Sequence, residues 1–429
     1  MKQTDLSLDQ SPPLIVSLRF FLVAPVFAIL SMALWLLGGQ SVLASRWTPE
    51  LLAITHGMVL GFFACVMFGA LQQMLPVVAG VTVPNPQRLS RLTFSFWVPG
   101  VLLLMLAFLH SQAWLFSAAA ACLIVAMSYF VFVFGQALMG SASKSNSVPG
   151  MIFALISLIF TVLLGAYLAM GLGEWLPLWR PLGTNIHMSW GLLGWISILI
   201  FGIAWQVVPM FQITPPYPKW IKRLLPAGML ILLIARSFLA ALSWHQLVLL
   251  TDSLLALLLA IFAVQTIFLQ RHSVRKIKDT HRLFWRLSCI NFLAAIAIWW
   301  AAQLPGSAWQ EKMQMLAVCI FLLGGVLAVV VGMLYKIVAF LVWLNLNQEN
   351  MRRMTTEQPM IEVPNMKKIL AEHKIRRQFR ALLLAELGLI FVFFLPSAAA
   401  VASILWLGFF GLLLRDLLFA RRAYYSRIA

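Results

Sequence analysis

Long apolar runs dominate this sequence and restrict its fold more than any other feature. We count twelve, each near the roughly 20 residues that a helix needs to cross the hydrocarbon core of a bilayer. Their approximate bounds are 15–40, 51–79, 92–110, 112–138, 149–172, 183–212, 223–243, 246–270, 284–303, 312–345, 378–396 and 398–419. Only 10% of the residues are charged, against about 25% in soluble domains. The sequence therefore predicts an all-α polytopic membrane protein with twelve transmembrane helices.

A short motif recurs towards the end of three of these runs. Its copies are Gly69-x-x-x-Gln73-x-x-Pro76, Gly202-x-x-x-Gln206-x-x-Pro209 and Gly332-x-x-x-Lys336-x-x-Ala339. The steps between their fifth positions are 133 and 130 residues. Self-similarity at a nearly fixed period indicates repeated structural units. We predict one transmembrane domain over 1–429, made of three four-helix units at about 15–148, 149–280 and 281–419.

The net charge of +18 raises the question of a nucleic-acid partner, and the position of the charge answers it. With the N-terminus inside, the inner loops hold 19 lysines and arginines, whereas the outer loops hold only Arg46, Arg180 and Lys312. Such an asymmetry sets the orientation of a membrane protein. We predict cytoplasmic N- and C-termini, a lipid bilayer as partner and no nucleic acid.

One connection is longer and more charged than the others. It covers about 346–378 and contains Pro359 and Pro364. Asn365 is a residue type that caps helices, and the basic stretch after it, from Met366 to Arg380, has the composition of an interfacial helix. We predict a cytoplasmic loop at 346–378 with an interfacial helix inside it.

Two histidines inside apolar runs are the leading candidates for chemistry, because ionisable groups within spans are costly and mark functional sites. His56 and His187 both lie near the outer ends of their helices, in repeat units one and two. Imidazole is the commonest metal ligand and a standard axial ligand of haem iron. A purely structural role, with each ring bonded to a neighbouring helix, stays open. So does a second axial ligand, for which Met313 and Met315 are candidates.

Two cations inside the spans also need partners. Arg236 could contact a carboxylate of a bound cofactor or helix-end carbonyls; Asp252 is predicted at a different depth and is not paired with it. Lys336 requires an anion such as Glu386, Asp252 or a haem propionate, or else extends its ammonium group to the membrane surface. We therefore include Arg236 and Lys336 as candidate cofactor-binding residues.

The sequence resembles subunit I of the heme–copper oxidase superfamily. The likeness rests on the twelve helices in three units and on the segment Thr-His56-Gly-Met, which is similar to the family's second-helix ligand of the low-spin haem. His187 corresponds by position to the sixth-helix histidine of that family, which ligates copper. The resemblance implies haem b at His56 and a second haem or metal at His187.

The sequence also departs from the oxidase pattern. Residues 312–345 and 223–243 contain none of the family's other histidine ligands, and no tyrosine lies near His187. Oxygen reduction at a haem–copper pair is therefore not expected. Non-catalytic relatives of that fold, such as the NnrS-type membrane proteins associated with nitric-oxide stress, are the nearer resemblance. The segments Gln206-Val-Val-Pro-Met-Phe and Gly332-Met-Leu-Tyr-Lys336-Ile-Val resemble those of bacterial oxidase-like proteins.

Three functional hypotheses follow. The first is a haem- or metal-binding protein of a bacterial inner membrane, which acts in respiratory electron transfer or in the response to nitric oxide or oxidative stress, with a respiratory-chain protein as partner. The second is a transporter for a small anionic solute, since helices broken at Pro76 and Pro209 and buried cations suit such a pathway. The third is a structural partner of a respiratory complex.

Overall fold

The computed structural model describes residues 12–141, 147–274, 279–304 and 309–428. The prediction of an all-α protein is confirmed for these residues, which form helices and no strand. Four basic loop residues used to predict the orientation, Lys144, Arg275, Lys276 and Lys278, lie outside them. The long helices are α1 (Leu14–Gly38), α2 (49–79), α3 (Pro86–His110), α4 (Ala113–Met139), α5 (Ser147–Leu172), α6 (Leu182–Gln212), α7 (Lys219–Ala241), α8 (His245–Arg271), α9 (Thr280–Ala301), α10 (Gln310–Thr355), α11 (Glu372–Phe394) and α12 (Ala399–Ile428).

In the described part of the chain, eleven of these helices are long and apolar enough to cross a membrane. The remaining long helix, α11, coincides with the eleventh predicted span. It differs from the others because its apolar stretch carries Arg377, Arg380 and Glu386. The chain is thus a multi-pass membrane protein whose described residues contain eleven or twelve helices that could span a bilayer.

Three helices form the centre of the bundle. In the apolar stretches of α2, α6 and α10, 67%, 78% and 83% of the residues are buried, against at most 50% in any other candidate span. Helices that follow each other in sequence generally pack side by side, and α12 packs along α1. The remaining helices therefore surround the central three, and the last helix returns to the first.

Each central helix contains a stretch of π-helical turns between α-helical ends. These stretches are Gly57–Ala64, Trp190–Ser197 and Ile320–Val326. Their first residues lie 133 and 130 residues apart, the same steps as in the sequence motif. Because π turns use i→i+5 hydrogen bonds, are rare and occur frequently at functional sites, they distinguish these helices from their neighbours.

Glycines allow each central helix to approach the long helix that precedes it in its predicted unit. A Cβ on Gly61 would lie 2.4 Å from the Phe27 ring of α1, and one on Gly194 would lie 2.9 Å from Ser157 of α5. A Cβ on Gly324 would lie 2.7 Å from Asn291 of α9. A Cβ at any of these points would force its neighbour to shift, so the close packing seen here fits glycine. The three glycines are again 133 and 130 residues apart.

The segment 346–378 is more helical than predicted. Helix α10 continues to Thr355, and a short helix at Met366–Ile369 is capped by Asn365, whose side chain accepts a hydrogen bond of 3.0 Å from Lys367 N. A break follows at Leu370, and α11 begins at Glu372. The stretch expected as one interfacial helix is therefore divided between a short helix and the first turns of α11.

Candidate functional site

His56 is the last α-helical residue of α2 before its π turns begin. Its Nδ1 lies 2.8 Å from the carbonyl oxygen of Leu52, one turn earlier. A carbonyl oxygen only accepts hydrogen bonds, so Nδ1 must carry the proton and donate it. In the neutral ring the lone pair is then on Nε2, and the hydrogen bond fixes the orientation of the ring.

His187 is held in a similar way by a different helix. Its Nδ1 lies 3.0 Å from the carbonyl oxygen of Thr161 in α5, so it too donates from Nδ1 and keeps its lone pair on Nε2. The ring lies against Gly165 of α5, where a Cβ would be 2.9 Å from the ring atom Cε1. Gly165 therefore provides the space that the His187 ring occupies.

The two imidazoles face each other near the start of α2 and α6. Their centroids are 6.5 Å apart and their planes differ by 12°. Both side chains are only half-buried, although their helices are the central ones. Phe108 of α3 packs against His56 at a centroid distance of 4.8 Å. At this centroid distance the two rings lie beside each other without close face-to-face stacking.

The donor set suits a group that needs two protein ligands. Imidazole nitrogens bind metals at about 2.0–2.1 Å, so two rings on opposite sides of one metal have centres about 6 Å apart. Ligating histidines normally donate their second N–H to a carbonyl or carboxylate, as both do here. Among the described residues, no cluster of three or more His, Cys, Asp or Glu could hold a metal ion, so a four-ligand zinc site is not available from them.

The histidines are not in the same register within the repeat. They are 131 residues apart, whereas the π turns that follow them begin 133 residues apart. The residue 133 positions after His56 is Ser189. A shift of two residues turns a side chain about 200° around a helix. His187 therefore uses the opposite face of its helix, which allows the two rings to meet.

Two further contacts position the helices close to these rings. Arg46, in the loop before α2, donates from Nη1 to the side-chain oxygen of Asn185 in α6, at 3.0 Å. The guanidinium groups of Arg46 and Arg180 lie 4.4 and 5.3 Å from the centre of the Trp47 ring. These contacts tie the start of α2 to the start of α6 and concentrate positive charge there.

Arg236 has a carboxylate partner within the protein. Its Nε and Nη2 donate to the two carboxylate oxygens of Asp252 at 2.5 and 3.3 Å. From the sequence, the two residues were predicted at different depths in the membrane and therefore not to pair. Because α7 and α8 form a hairpin and the arginine side chain is long, the guanidinium group reaches the depth of Asp252. Its charge is compensated without any bound cofactor.

Lys336 also lies beside a carboxylate, at the opposite end of the bundle from the histidine pair. Its Nζ is 3.7 Å from Asp279 Oδ2 and 5.6 Å from the centre of the Phe211 ring. Asp279 caps α9 by accepting a hydrogen bond from His281 N. None of the anions expected from the sequence pairs with Lys336, because Asp279 precedes α9 and was not among the residues considered within spans.

The structure thus brings together only two of the four predicted site residues, His56 and His187. Sequence reasoning missed Thr161 and Gly165, which orient His187. A backbone carbonyl and a glycine carry no chemical signal in a sequence, so only tertiary structure could reveal them.

Comparison with known proteins adds no identification. No protein-family model matches the chain, and no curated protein matches it.

Proposed function

We propose that the protein binds one haem, of the b type, or a comparable metal group between His56 and His187. The observation that carries this proposal is the facing pair of imidazoles, 6.5 Å apart, with both Nδ1 atoms engaged by carbonyl oxygens. The proposal replaces two separate sites with one shared site. His187 would then be the second protein ligand, for which the sequence left several candidates.

The residues around the pair would hold the group and limit its mobility. Leu52 and Thr161 fix the ring orientations through their carbonyl oxygens, and Phe108 and Gly165 shape the two sides. A haem iron with two protein ligands supplies one-electron transfer. Two histidine ligands would suit electron transfer better than gas activation. We therefore place this role in respiratory or nitrosative metabolism, with a respiratory-chain protein as partner.

The architecture proposed with this site is three four-helix units in an oxidase-like bundle. It is supported by π turns and glycine contacts that repeat at the steps of the sequence motif. Placement in a bacterial inner membrane with both termini in the cytoplasm is likewise a proposal, supported by the asymmetry of the basic loop residues. Labelling single cysteines introduced near each end, in intact cells, would test the orientation.

The experiment that tests cofactor binding is the absorption spectrum of the purified protein, oxidised and reduced, from cells supplied with haem. We expect a Soret band that is lost in His56→Ala and in His187→Ala. His245→Ala is the matched control, because His245 is exposed at the start of α8, and it should keep the band. A colourless, metal-free wild-type protein, or loss of the band in only one of the two site variants, would contradict the shared site.

The alternative function, transport of a small anionic solute, has less support. It relied on Arg236 and Lys336 as cations available to a solute, and each lies beside a carboxylate of the protein. Binding of an anion that is lost in Arg236→Ala, by a protein without haem, would favour that alternative.

A further inference from the structure

A second polar site lies in the third predicted unit, away from the histidine pair. It is centred on Gly324, within the π turns of α10. A Cβ at this position would lie 2.6 Å from Oε1 of Glu386 in α11 and 2.7 Å from Nδ2 of Asn291 in α9. The missing side chain of Gly324 therefore makes room for a carboxyl group and an amide that converge from two other helices.

Several polar atoms of this site have no protein partner. Glu386 Oε2, Asn291 Nδ2 and Ser288 Oγ are buried and make no hydrogen bond in the described part of the chain. The three residues are exposed by only 6%, 6% and 0%. Ser288 is one helical turn from Asn291 on the same face of α9. Because buried polar groups are almost always hydrogen-bonded, three unpaired atoms together indicate that bound water completes the site.

The carboxyl group of Glu386 also lacks a counter-charge. Among the described residues, no cation lies within 4.0 Å of it, and on its own helix Arg380 and Arg377 are six and nine residues away. The titratable or charged groups that the described parts of the packed helices bury, fully or partly, include His281, Cys289, Cys319, Tyr335, Lys336 and Asp416, and the exposed Arg415 reaches Asp416 from the outside. Asp416 is held by Arg377 and Arg415, and Lys336 lies beside Asp279. An unpaired carboxylate buried in this way is so costly that the group takes up a proton instead.

We propose that Glu386, Asn291 and Ser288 form a proton-binding site with bound water in the interior of the membrane. Glu386 carries the proton, and Asn291 and Ser288 hydrogen-bond to the water that solvates it. Towards the far ends of α9 and α11, the buried residues after this level are apolar, including Ala295, Leu389 and Val392. Along the described parts of α9 and α11, the other buried polar residues lie towards the Thr280 end, where His281 donates to the carbonyl of Gly332 at 2.9 Å. The proton therefore exchanges with solvent at the Thr280 end.

Infrared spectroscopy of the full-length protein in detergent tests this site directly. At pH 7 we expect a carbonyl-stretch band of a protonated carboxylic acid that shifts in D2O. It should be absent in Glu386→Gln and unchanged in Glu50→Gln, which alters a carboxylate in the first turn of α2. Asn291→Leu should move the band, since the neighbouring amide is lost. An acid band of equal intensity in wild type and Glu386→Gln would overturn the proposal.

A second variant keeps the test decisive if Glu386→Gln does not fold. Gly324→Ala places a methyl group in the space between the carboxyl and the amide, so the acid band should shift or broaden. Gly408→Ala is the matched control, because nothing lies within 4 Å of a Cβ there, and its band should equal that of wild type. No change in Gly324→Ala would contradict the site. Neither result depends on the haem, because the imidazoles are on other helices.

Discussion

Helices α2, α6 and α10 share the same backbone features, but α2 and α6 carry different functional side chains from α10. All three are central, contain π turns and use a glycine to approach the long helix that precedes them in the predicted unit. Yet α2 and α6 each bring an imidazole into the bundle, whereas α10 has no histidine and carries Lys336. In the third region the polar groups lie instead on α9 and α11, around Glu386 and Asn291. One scaffold thus supports two kinds of polar site.

The pairing of the two histidines also depends on a departure of His187 from the 133-residue repeat. If His187 had followed the 133-residue step of the π turns, it would stand where Ser189 stands. Its ring would then lie about 200° around the helix from its actual direction. The two-residue offset brings the two imidazoles beside each other. We infer that the site depends on this departure from the repeat as much as on the residue type.

The largest expected effect comes from restoring the register. The double variant His187→Ser with Ser189→His keeps the composition of α6 but moves the imidazole to the position required by the repeat. We expect complete loss of the Soret band, because the imidazole no longer lies beside that of His56. Absorption spectra at matched protein concentration measure it. Ser189→Ala, which leaves His187 in place, should retain the band; retention in the double variant would show that the offset is irrelevant.

The next effect concerns the glycines. Gly61→Ala would place a methyl group 2.4 and 2.5 Å from Cγ and Cβ of Phe27. Those atoms are close to the backbone and cannot move freely, so overpacking should cost about 1–3 kcal/mol. Gly194→Ala meets Ser157 at 2.9 Å and should cost less. The free energy of unfolding in mixed detergent micelles gives both values.

The control for this series is again Gly408→Ala, whose Cβ meets nothing within 4 Å. Its stability should stay within about 0.5 kcal/mol of wild type. If Gly61→Ala were equally harmless, the close approach of α2 to α1 would not be needed, and the parallel among the three central helices would lose its physical basis.

Much of the fold was predictable because it follows from hydrophobicity. Apolar runs of spanning length gave the helices, and the all-α class is confirmed. The π turns were not predicted, since they replace α-helical turns without changing the apolar pattern. The division at Leu370 was also missed, because the basic residues on both sides are equally compatible with one helix.

The site was less predictable than the fold. His56 and His187 could be selected because histidine is rare in apolar runs, but their 6.5 Å separation depends on how α2 and α6 pack. Asp279 could not be assigned to Lys336, because they are separated by 57 positions and lie on different helices. Spacing within one helix predicts neighbours, whereas contacts between helices need the tertiary structure.

A smaller effect is expected from a substitution that makes α10 more similar to α2 and α6. Lys336→Gln installs the residue found at positions 73 and 206. It removes the partner 3.7 Å from Asp279, a side chain exposed by 10%, but leaves the hydrogen bond from His281 N to Asp279. We expect the free energy of unfolding to fall by about 1 kcal/mol, since the lysine side chain is 25% exposed and its ion pair is long.

Chemical unfolding monitored by tryptophan fluorescence measures this loss, with Lys312→Gln as the matched control at an exposed position. In the background Asp279→Asn, the effect of Lys336→Gln should shrink, because the two residues interact. Equal effects in both backgrounds would mean that Asp279 does not stabilise the ammonium group.

A further effect of similar size tests how α10 is tied to α12. Tyr335 is fully buried, and its hydroxyl donates to Asp416 at 2.9 Å. Trp205 of α6 lies 130 positions earlier, and its Nε1 has no hydrogen-bond partner among the described residues. Tyr335→Phe should cost about 1 kcal/mol, because Asp416 keeps Arg377 at 2.9 Å and Arg415 at 3.3 Å. A loss several times larger would show that the hydroxyl, rather than the two arginines, is what keeps the carboxylate of Asp416 stable inside the protein.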